Sequence, residues 1–587
     1  MTDYTPPLRE IRFALDTLAG LPGIAGLPGF EEATPDLTTS ILEEAAKIAS
    51  GVLAPLNRAG DLDGARLTEA GVATTPGWSE AWAVLIEGGW NGLPYPPELG
   101  GMGLPGVLNL AVHEMWQTAN LAFALCPMLT QGAANAIELY GTEDQKARFL
   151  PAMVSGEWTG TMNLTEPLAG SDLAAIRARA VPEGDGYRIT GQKIFITYGD
   201  HDLTGNIIHL VLARLPDAPA GVKGISLFIV PKVLADGTRN DVTCVSLEHK
   251  LGIHGSPTAV LAFGEKGGAL GELVGEANRG LEYMFSMMNH ARLNVGLQGL
   301  AIAERAYQQA LGYARERRQG RPAGWTGGPV AIIEHPDVRR MLMSMKARIV
   351  AMRGLLYRVA ADHDLAEAAP DPEVRAAARR RVDLMTPVAK GWCTETGVEL
   401  ASLGVQIHGG MGYIEETGAA QHWRDSRITT IYEGTTAIQA NALVGRGLLR
   451  DAGAELGALI AEVAEEGRAL AGTPLEAEGA ALAEAAGQAA RAAAFLIERG
   501  ASDPRAAFGG SVPFLMLLGA LLGGQALLRG ARAALAAAAD GDADPWWETR
   551  LGLARFYAAH VLPRVEAERR AITDAPAAIF AIDAALL

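Results

Sequence analysis

Apolar residues change their spacing as the chain proceeds. From about residue 37, TSILEEAAKIASGVLAPL sets Ile41, Ala45, Ile48 and Val52 on one helical face. The pattern predicts helices to about residue 155, interrupted by the loop YPPELGGMGLPG at 95–106. Between about 160 and 274 the period shortens. YRITGQKIFIT, NIIHLVLARL, KGISLFIVP and DVTCVSLEHKL are rich in β-branched and aromatic residues and are separated by Gly, Pro and Asp turns, so they predict strands. Helical spacing returns from 280 through 445, broken by GRPAGWTGGP from Gly320 and by AAPDPE at 368–373. The first ten residues read as extended, and the prolines of GLPGIAGLPGFEEATP at 20–35 favour a loop.

The fold class is therefore mainly α with an inserted β-domain. The boundaries fall at 1–36 for an N-terminal extension, 37–159 for a helical domain, 160–279 for the β-domain, 280–450 for a helical bundle and 451–587 for an extra helical domain. That last block is rich in alanine and opens on AELGALIAEVAEEGRALAG, where helix formers dominate. No fixed-period repeat emerges, so close helix packing accounts for the alanines. Within it, 512–524 is an unbroken apolar run with Gly519 and Gly523 at GxxxG spacing. A membrane span needs about 20 apolar residues, and Gln525 and Arg529 end this run early. A buried core helix is expected in preference to a membrane contact.

Composition narrows the function classes. With 587 residues, 49% hydrophobic and 20% charged, the chain sits in the soluble globular class. A net charge of −17 without a dense Lys/Arg tract argues against nucleic acid as a partner. Cys126, Cys244 and Cys393 form no CxxC pair, so neither a disulfide framework nor a thiolate metal site is expected. The opening MTDYTPPLRE lacks the basic and apolar regions of an export signal, and a cytoplasmic location is expected. There is no GxxxxGK[ST], HExxH or GxSxG, and GGMG at 409–412 is too incomplete for a Rossmann fingerprint.

Four separated segments form a constellation: MNLTEPLAGSD at 162–172, KIFIT at 193–197, QIHGGMGY at 406–413 and RDSRITTIYEGTTAIQ at 424–439. In this order they resemble the acyl-CoA dehydrogenase family, over roughly 38–445 and in its α/β/α arrangement: N-terminal helical domain, middle β-barrel domain, helical bundle. The resemblance implies FAD as cofactor and α,β-dehydrogenation of an acyl-CoA thioester to the trans-2-enoyl-CoA. It places Leu164, Thr165 and Ser171 along the isoalloxazine and ribityl chain, Phe195 and Thr197 against the other side of the ring system, and Gln406, Gly409 and Gly410 at the ADP half. Arg317, in YARERRQGR, matches the arginine that a neighbouring subunit offers to the pyrophosphate, although the RxxFG usual there lacks its phenylalanine and reads Arg317, Arg318, Gln319, Gly320. Met162 and Thr435 complete the implied cofactor set. Ser171, Asn289, Arg292 and Gly434 form the implied substrate set.

Glu433, in IYEGTT, matches the family's catalytic base. A carboxylate removed from water has its pKa raised toward neutrality, which suits α-proton abstraction. In some relatives the base stands instead just before the arginine that is Arg292 here. This chain has Ala291 there, leaving Glu433 as the matching carboxylate. Ala437 departs from the Glu or Gln usual at its position.

The opening YTPPLREIRFAL and the long C-terminal block resemble a bacterial subgroup whose members include enzymes acting on 3-(methylthio)propanoyl-CoA. Short, medium and long acyl chains stay open at this level. The resemblance further implies an electron-transferring flavoprotein as acceptor and a homodimer in which the extra domain covers a surface used for tetramer formation in shorter members. Three alternatives remain: an acyl-CoA oxidase using O₂, a non-catalytic protein that binds flavin and acyl-CoA, and a helical scaffold without cofactor.

Overall fold

The computed structural model describes residues 4–574 and 576–587. Contact density divides it into two units. A mixed α/β unit comprises Glu43–Pro105 and Met115–Asn294, and a helical unit comprises the segment ending at Leu42, Gly106–Glu114 and Val295–Leu587.

In the mixed unit, α1 (Trp78–Glu87) sets Trp78 and Trp82 into a core with Phe123, the Trp78 and Phe123 rings meeting edge to face at 5.4 Å. The next helix, α2 (Gly106–Ala119), contributes only its C-terminal end to this unit. It is followed by α3 (Leu121–Tyr140), which is apolar on nearly every face and correspondingly buried. Asn120 caps α3 by accepting from the Phe123 N–H, and Thr142 and Gln145 form a capping box on α4 (Glu143–Ser155). A short hairpin at 66–73 lies within a stretch whose spacing predicted only helix.

The β-domain is an eight-stranded sheet: β1 (Trp158–Asn163), β2 (Arg179–Glu183), β3 (Gly186–Thr197), β4 (Asn206–Arg214), β5 (Ile225–Pro231), β6 (Val242–Leu247), β7 (Thr258–Phe263) and β8 (Ala269–Val274). The path β8-β5-β4-β2-β3 closes on itself through β3 and β8, where Ile189 faces Ala269, giving a barrel without free edges there. β1 joins parallel to β4, while the far end of β3 leaves the ring to pair with β7, which in turn pairs with β6. The start of α5 (Gly280–Glu316) closes the unit.

The helical unit packs the remainder of α5 with α6 (Pro336–Ala368), α7 (Pro372–His408) and α8 (Thr436–Ala442). Close approach of α5 and α7 depends on glycine. A Cβ on Gly299 would lie 2.3 Å from the Cys393 carbonyl oxygen, and one on Gly397 would lie 2.5 Å from that of Gly299. The alanine-rich block folds into α9 (Ala454–Arg468), α10 (Glu476–Ser502), α11 (Ser511–Ala539), α12 (Trp546–His560) and α13 (Pro563–Thr573). In α11, Phe514, Leu515, Leu517, Leu518, Leu521 and Leu522 are all buried, at ~1.5 to 3 kcal/mol each. α11 is long and apolar enough to cross a membrane, yet most of its apolar window lies inside the protein. Its GxxxG spacing serves packing: a Cβ on Gly519 would collide with Trp392 at 2.0 Å.

The N-terminal segment is not extended throughout. Leu8–Phe13 is helical, and the short Leu21–Ile24 helix begins within the predicted loop with Pro22 in its first turn, where no amide donor is needed. The first of these is organised by tertiary contacts. Arg550 holds Glu10 bidentately at 2.6 and 2.7 Å, Lys346 adds a 3.1 Å pair, and the Arg550 guanidinium lies 4.3 Å from the Trp546 ring centre. Burial alone would raise the Glu10 pKa, but Lys346 and Arg550 together pull it down to about 2 from an ordinary 4.5. The folded value is the lower one, so this contribution is complete above pH 4.5 and is lost as pH falls from there toward 2. Glu10→Gln is expected to remove roughly 3 kcal/mol at neutral pH and to flatten the acid limb of a urea-midpoint profile in that window. An unchanged profile would mean that other carboxylates govern acid unfolding.

Candidate functional site

The predicted site residues fall into two sets, one in each unit. In the mixed unit, β1 carries Met162 just before its last residue, Asn163, and leads into the turn of TEPLAGSD. Glu166 and Ala169 exchange backbone hydrogen bonds of 3.1 and 3.0 Å across this turn. Leu164 and Thr165 are half-buried, and Ser171 is exposed. Beside them β3 bulges: pairing with β7 runs to Lys193 opposite Leu261 and resumes at Ile196 opposite Ala259. Freed from β7, the Ile194 N–H donates to the Thr165 carbonyl at 2.9 Å. Phe195 follows at φ 60° with its side chain 59% exposed, and half-buried Thr197 pairs with Thr258. A left-handed conformation costs a non-glycine residue about 1–2 kcal/mol, and exposing an aromatic ring forgoes its burial energy. Both point to a planar ligand that the ring would cover.

Beneath the bulge, Lys193 is fully buried and donates to the Leu164 carbonyl at 3.0 Å and to Glu166 Oε1 at 2.8 Å. Burial pulls the ammonium down to about 8, against the Glu166 carboxylate, which holds it up.

Asn289 and Arg292 lie together on the first part of α5. The Arg292 Nη1 donates to Asn289 Oδ1 at 3.0 Å, and its guanidinium lies 5.7 Å from the Phe285 ring centre. An i, i+4 salt bridge is impossible, because the residues four away are Met288 and Gly296.

In the helical unit, Glu433 sits on the turn between Ile431 and α8 at φ 55°, followed by Gly434 at φ 89°. Three side chains fix this turn. Lys390, fully buried on α7, donates to the Gly434 carbonyl at 2.7 Å. Gln439 Nε2 donates to the Glu433 carbonyl at 3.1 Å. The Tyr432 hydroxyl donates to Gln298 Oε1, and burial, with the adjacent Glu433 carboxylate, keeps that phenol well above its ordinary pKa. Thr435 caps α8 by accepting from the Ile438 N–H at 3.3 Å, leaving its own proton to donate. Thus Glu433 is a half-buried carboxylate on a strained turn held from three sides.

Gln406, Gly409 and Gly410, at the C-terminal end of α7, are exposed. Gly409 needs its φ of 61°, but a Cβ on Gly410 would meet no atom within 4 Å. No protein contact explains glycine at Gly410, whereas bare backbone beside open space suits the approach of a large ligand. Arg317, past the end of α5, is also exposed, and its guanidinium donates to Gln319 Oε1 at 3.5 Å. No cluster of three or more His, Cys, Asp or Glu side chains suited to a metal ion occurs among the described residues.

Lys193, Glu166, Lys390 and Gln439 were not singled out from the sequence. The one available signal was a lysine inside an apolar run, in KIFIT and in PVAKGWC.

Comparison with known proteins covers most of the chain. Family models match for the acyl-CoA dehydrogenase N-terminal domain at 38–157, the middle domain at 161–265, the C-terminal domain at 278–449 and an acetyl-CoA dehydrogenase C-terminal-like domain at 454–583. A 3-methylmercaptopropionyl-CoA dehydrogenase of Ruegeria pomeroyi is 48% identical over 97% of this chain and 98% of its own. A broad-specificity linear acyl-CoA dehydrogenase of Mycobacterium tuberculosis is 36% identical over the full length of both. Among solved structures, an acyl-CoA dehydrogenase of Bacillus anthracis complexed with FAD shares the fold at a TM-score of 0.77 and 22% identity, covering 93% of this chain and 89% of that one.

Proposed function

The chain belongs to the acyl-CoA dehydrogenase family, and from that membership we propose that Glu433 removes the α-proton of an acyl-CoA thioester in an FAD-dependent dehydrogenation to the trans-2-enoyl-CoA. The observation that carries this assignment is the turn itself: a carboxylate at φ 55°, anchored by Lys390, Gln439 and Tyr432. A solvated surface glutamate needs no such support.

When bound, FAD supplies the acceptor for the β-hydride. Leu164, Thr165 and Ser171, with Met162 and Thr435, would meet its polar edge and ribityl chain. Phe195 and Thr197 would flank the ring, and Gln406, Gly409 and Gly410 would take the ADP half. The donor types fit: hydroxyls and backbone at one edge, an exposed aromatic wall, and bare glycine backbone for the tail. An α-CH beside a thioester is a very weak acid, so developing enolate charge must be stabilised as the proton leaves. The Glu433 backbone N–H is the donor assigned to the thioester oxygen, with Gly434, Ser171, Asn289 and Arg292 assigned to the substrate.

The carboxylate acts only if the turn that carries it is held. Lys390→Met keeps the apolar stem but removes the donor to Gly434. It is expected to lower kcat by about 10- to 100-fold at unchanged flavin content, measured by steady-state kinetics alongside the flavin-to-protein absorbance ratio. An unaltered kcat would confine Lys390 to stability.

For the substrate we favour a short thioether acyl chain, 3-(methylthio)propanoyl-CoA, because the relative named for that activity is nearly half identical along almost the whole chain. A medium or long linear acyl-CoA is the rival. An electron-transferring flavoprotein is the proposed acceptor, and the proposed location is the cytoplasm. A homodimer is proposed, with exposed Arg317 serving the pyrophosphate bound by a second copy and the exposed Met411, Tyr413 and Ile414 as apolar surface.

The deciding experiment is an anaerobic visible titration of the purified protein with a panel of saturated acyl-CoA thioesters that includes 3-(methylthio)propanoyl-CoA. Bleaching of the flavin band by one thioester supports the reading and names the substrate class. A protein that stays colourless after FAD reconstitution sinks it. Aerobic peroxide formation at the turnover rate would indicate the oxidase instead.

A further inference from the structure

The β-domain contains a buried ion pair with an unusual position. Lys193 and Glu166 are both buried, which costs several kcal/mol of lost hydration per ion. Such a pair seldom improves on well-packed apolar side chains, so stability alone is a weak reason for it. Its connections suggest another. The Lys193 ammonium binds the Leu164 carbonyl as well as Glu166, while the Glu166 oxygens accept from the Arg177 N–H at 2.7 Å and the Ala178 N–H at 3.1 Å. One carboxylate thus ties the two ends of the TEPLAGSD excursion together, and one ammonium ties that excursion to β3.

β3 carries the rest of the device. The residue after Lys193 leaves β7 and bonds to Thr165, and the residue after that is Phe195, left-handed and exposed. The clamp therefore fixes the separation between the Leu164–Thr165 segment and the Phe195 ring. Side chains on rigid elements hold a ligand only as well as the groups behind them hold the backbone.

We propose that Lys193 and Glu166 are positioning residues, whose buried pair sets the width of the slot between the Leu164–Thr165 backbone and the Phe195 ring for the flavin. This rests on the assignment of those three residues to FAD. Neither charged group touches the cofactor; both act through the backbone they pin.

The test is Lys193→Met combined with Glu166→Gln. The amide oxygen can still accept from one of the two backbone N–H groups, that of Arg177 or that of Ala178, and no buried charge is left unpaired, so the apo-protein should unfold within about 3 °C of wild type. FAD titrated into apo-protein should bind about tenfold more weakly, and the visible band of the bound flavin should shift. A folded double variant with wild-type FAD affinity and spectrum overturns the proposal and leaves the pair a support of the β-domain alone. Should the double variant not fold, Glu166→Gln alone, whose buried Lys193 can shed its proton once the carboxylate is gone, bears the same two readouts with the same expected result. Wild-type apo-protein titrated in parallel separates the two ideas: if it takes up no FAD, the cofactor assignment fails and the positioning role with it, whereas normal uptake by wild type isolates the clamp.

Discussion

Glu433→Gln is expected to lower turnover by about a thousandfold, with flavin content and acyl-CoA binding close to wild type. The substitution is nearly isosteric and leaves the backbone bonds in place: the Gln439 amide to the carbonyl of residue 433 and Lys390 to Gly434. The turn should persist, and with it the backbone N–H assigned to the thioester oxygen. Only the proton acceptor is lost. Anaerobic mixing with substrate should then shift the flavin spectrum on binding without bleaching it, while dithionite should reduce wild type and variant alike. Residual turnover above about a tenth of wild type would require another base. The alternative position offers none, because Ala291 precedes Arg292.

The sequence carried the larger divisions of the fold for identifiable reasons. β3, β4, β5 and β6 were legible because β-branched and aromatic residues lie between Gly, Pro and Asp turns. β7, TAVLAF, was less so: every residue is buried, so no alternation marks it, and a short apolar run does not distinguish strand from helix. β2 contains Pro182, which weakens any strand reading. The helix at Leu8–Phe13 was missed because its context is tertiary: Ile11 and Phe13 are buried, and Glu10 is held by Arg550, 540 residues away.

The site divides in the same way. Residues whose role depends on type, such as Glu433 or the bare Gly409–Gly410 pair, stand out as motifs. Residues whose role depends on burial do not, since nothing in the letters says that Lys193 and Lys390 are inside while Lys47 and Lys266 are outside. The strain at Phe195 and Glu433 is likewise invisible, because both are unremarkable residue types in conformations imposed by their neighbours.

Arg353→Met is expected to produce the largest loss of stability. In the helical unit the Arg353 guanidinium is buried between two carboxylates, donating to Glu114 at 2.6 and 2.9 Å and to Glu304 at 3.0 Å. The Tyr357 hydroxyl donates to the other Glu114 oxygen at 2.7 Å, and burial with the neighbouring Glu114 keeps that phenol far above its ordinary pKa, so it remains a donor. Glu304 also accepts from Gln308, which exchanges hydrogen bonds with the Thr5 backbone. Methionine fills much of the volume but leaves two buried carboxylates without their cation, at a cost of about 3–5 kcal/mol. A lower urea midpoint should report this, together with looser amide protection around Thr5 and Gln308, because the N-terminal segment at Thr5 is anchored to the same cluster through Gln308 and Glu304. Adding Glu114→Gln to Arg353→Met should recover part of the loss by removing one unpaired charge. A double variant no more stable than the single would place the cost in packing rather than in charge, and a single variant within about 1 kcal/mol of wild type would mean that the two glutamates find water or protons when the arginine is gone.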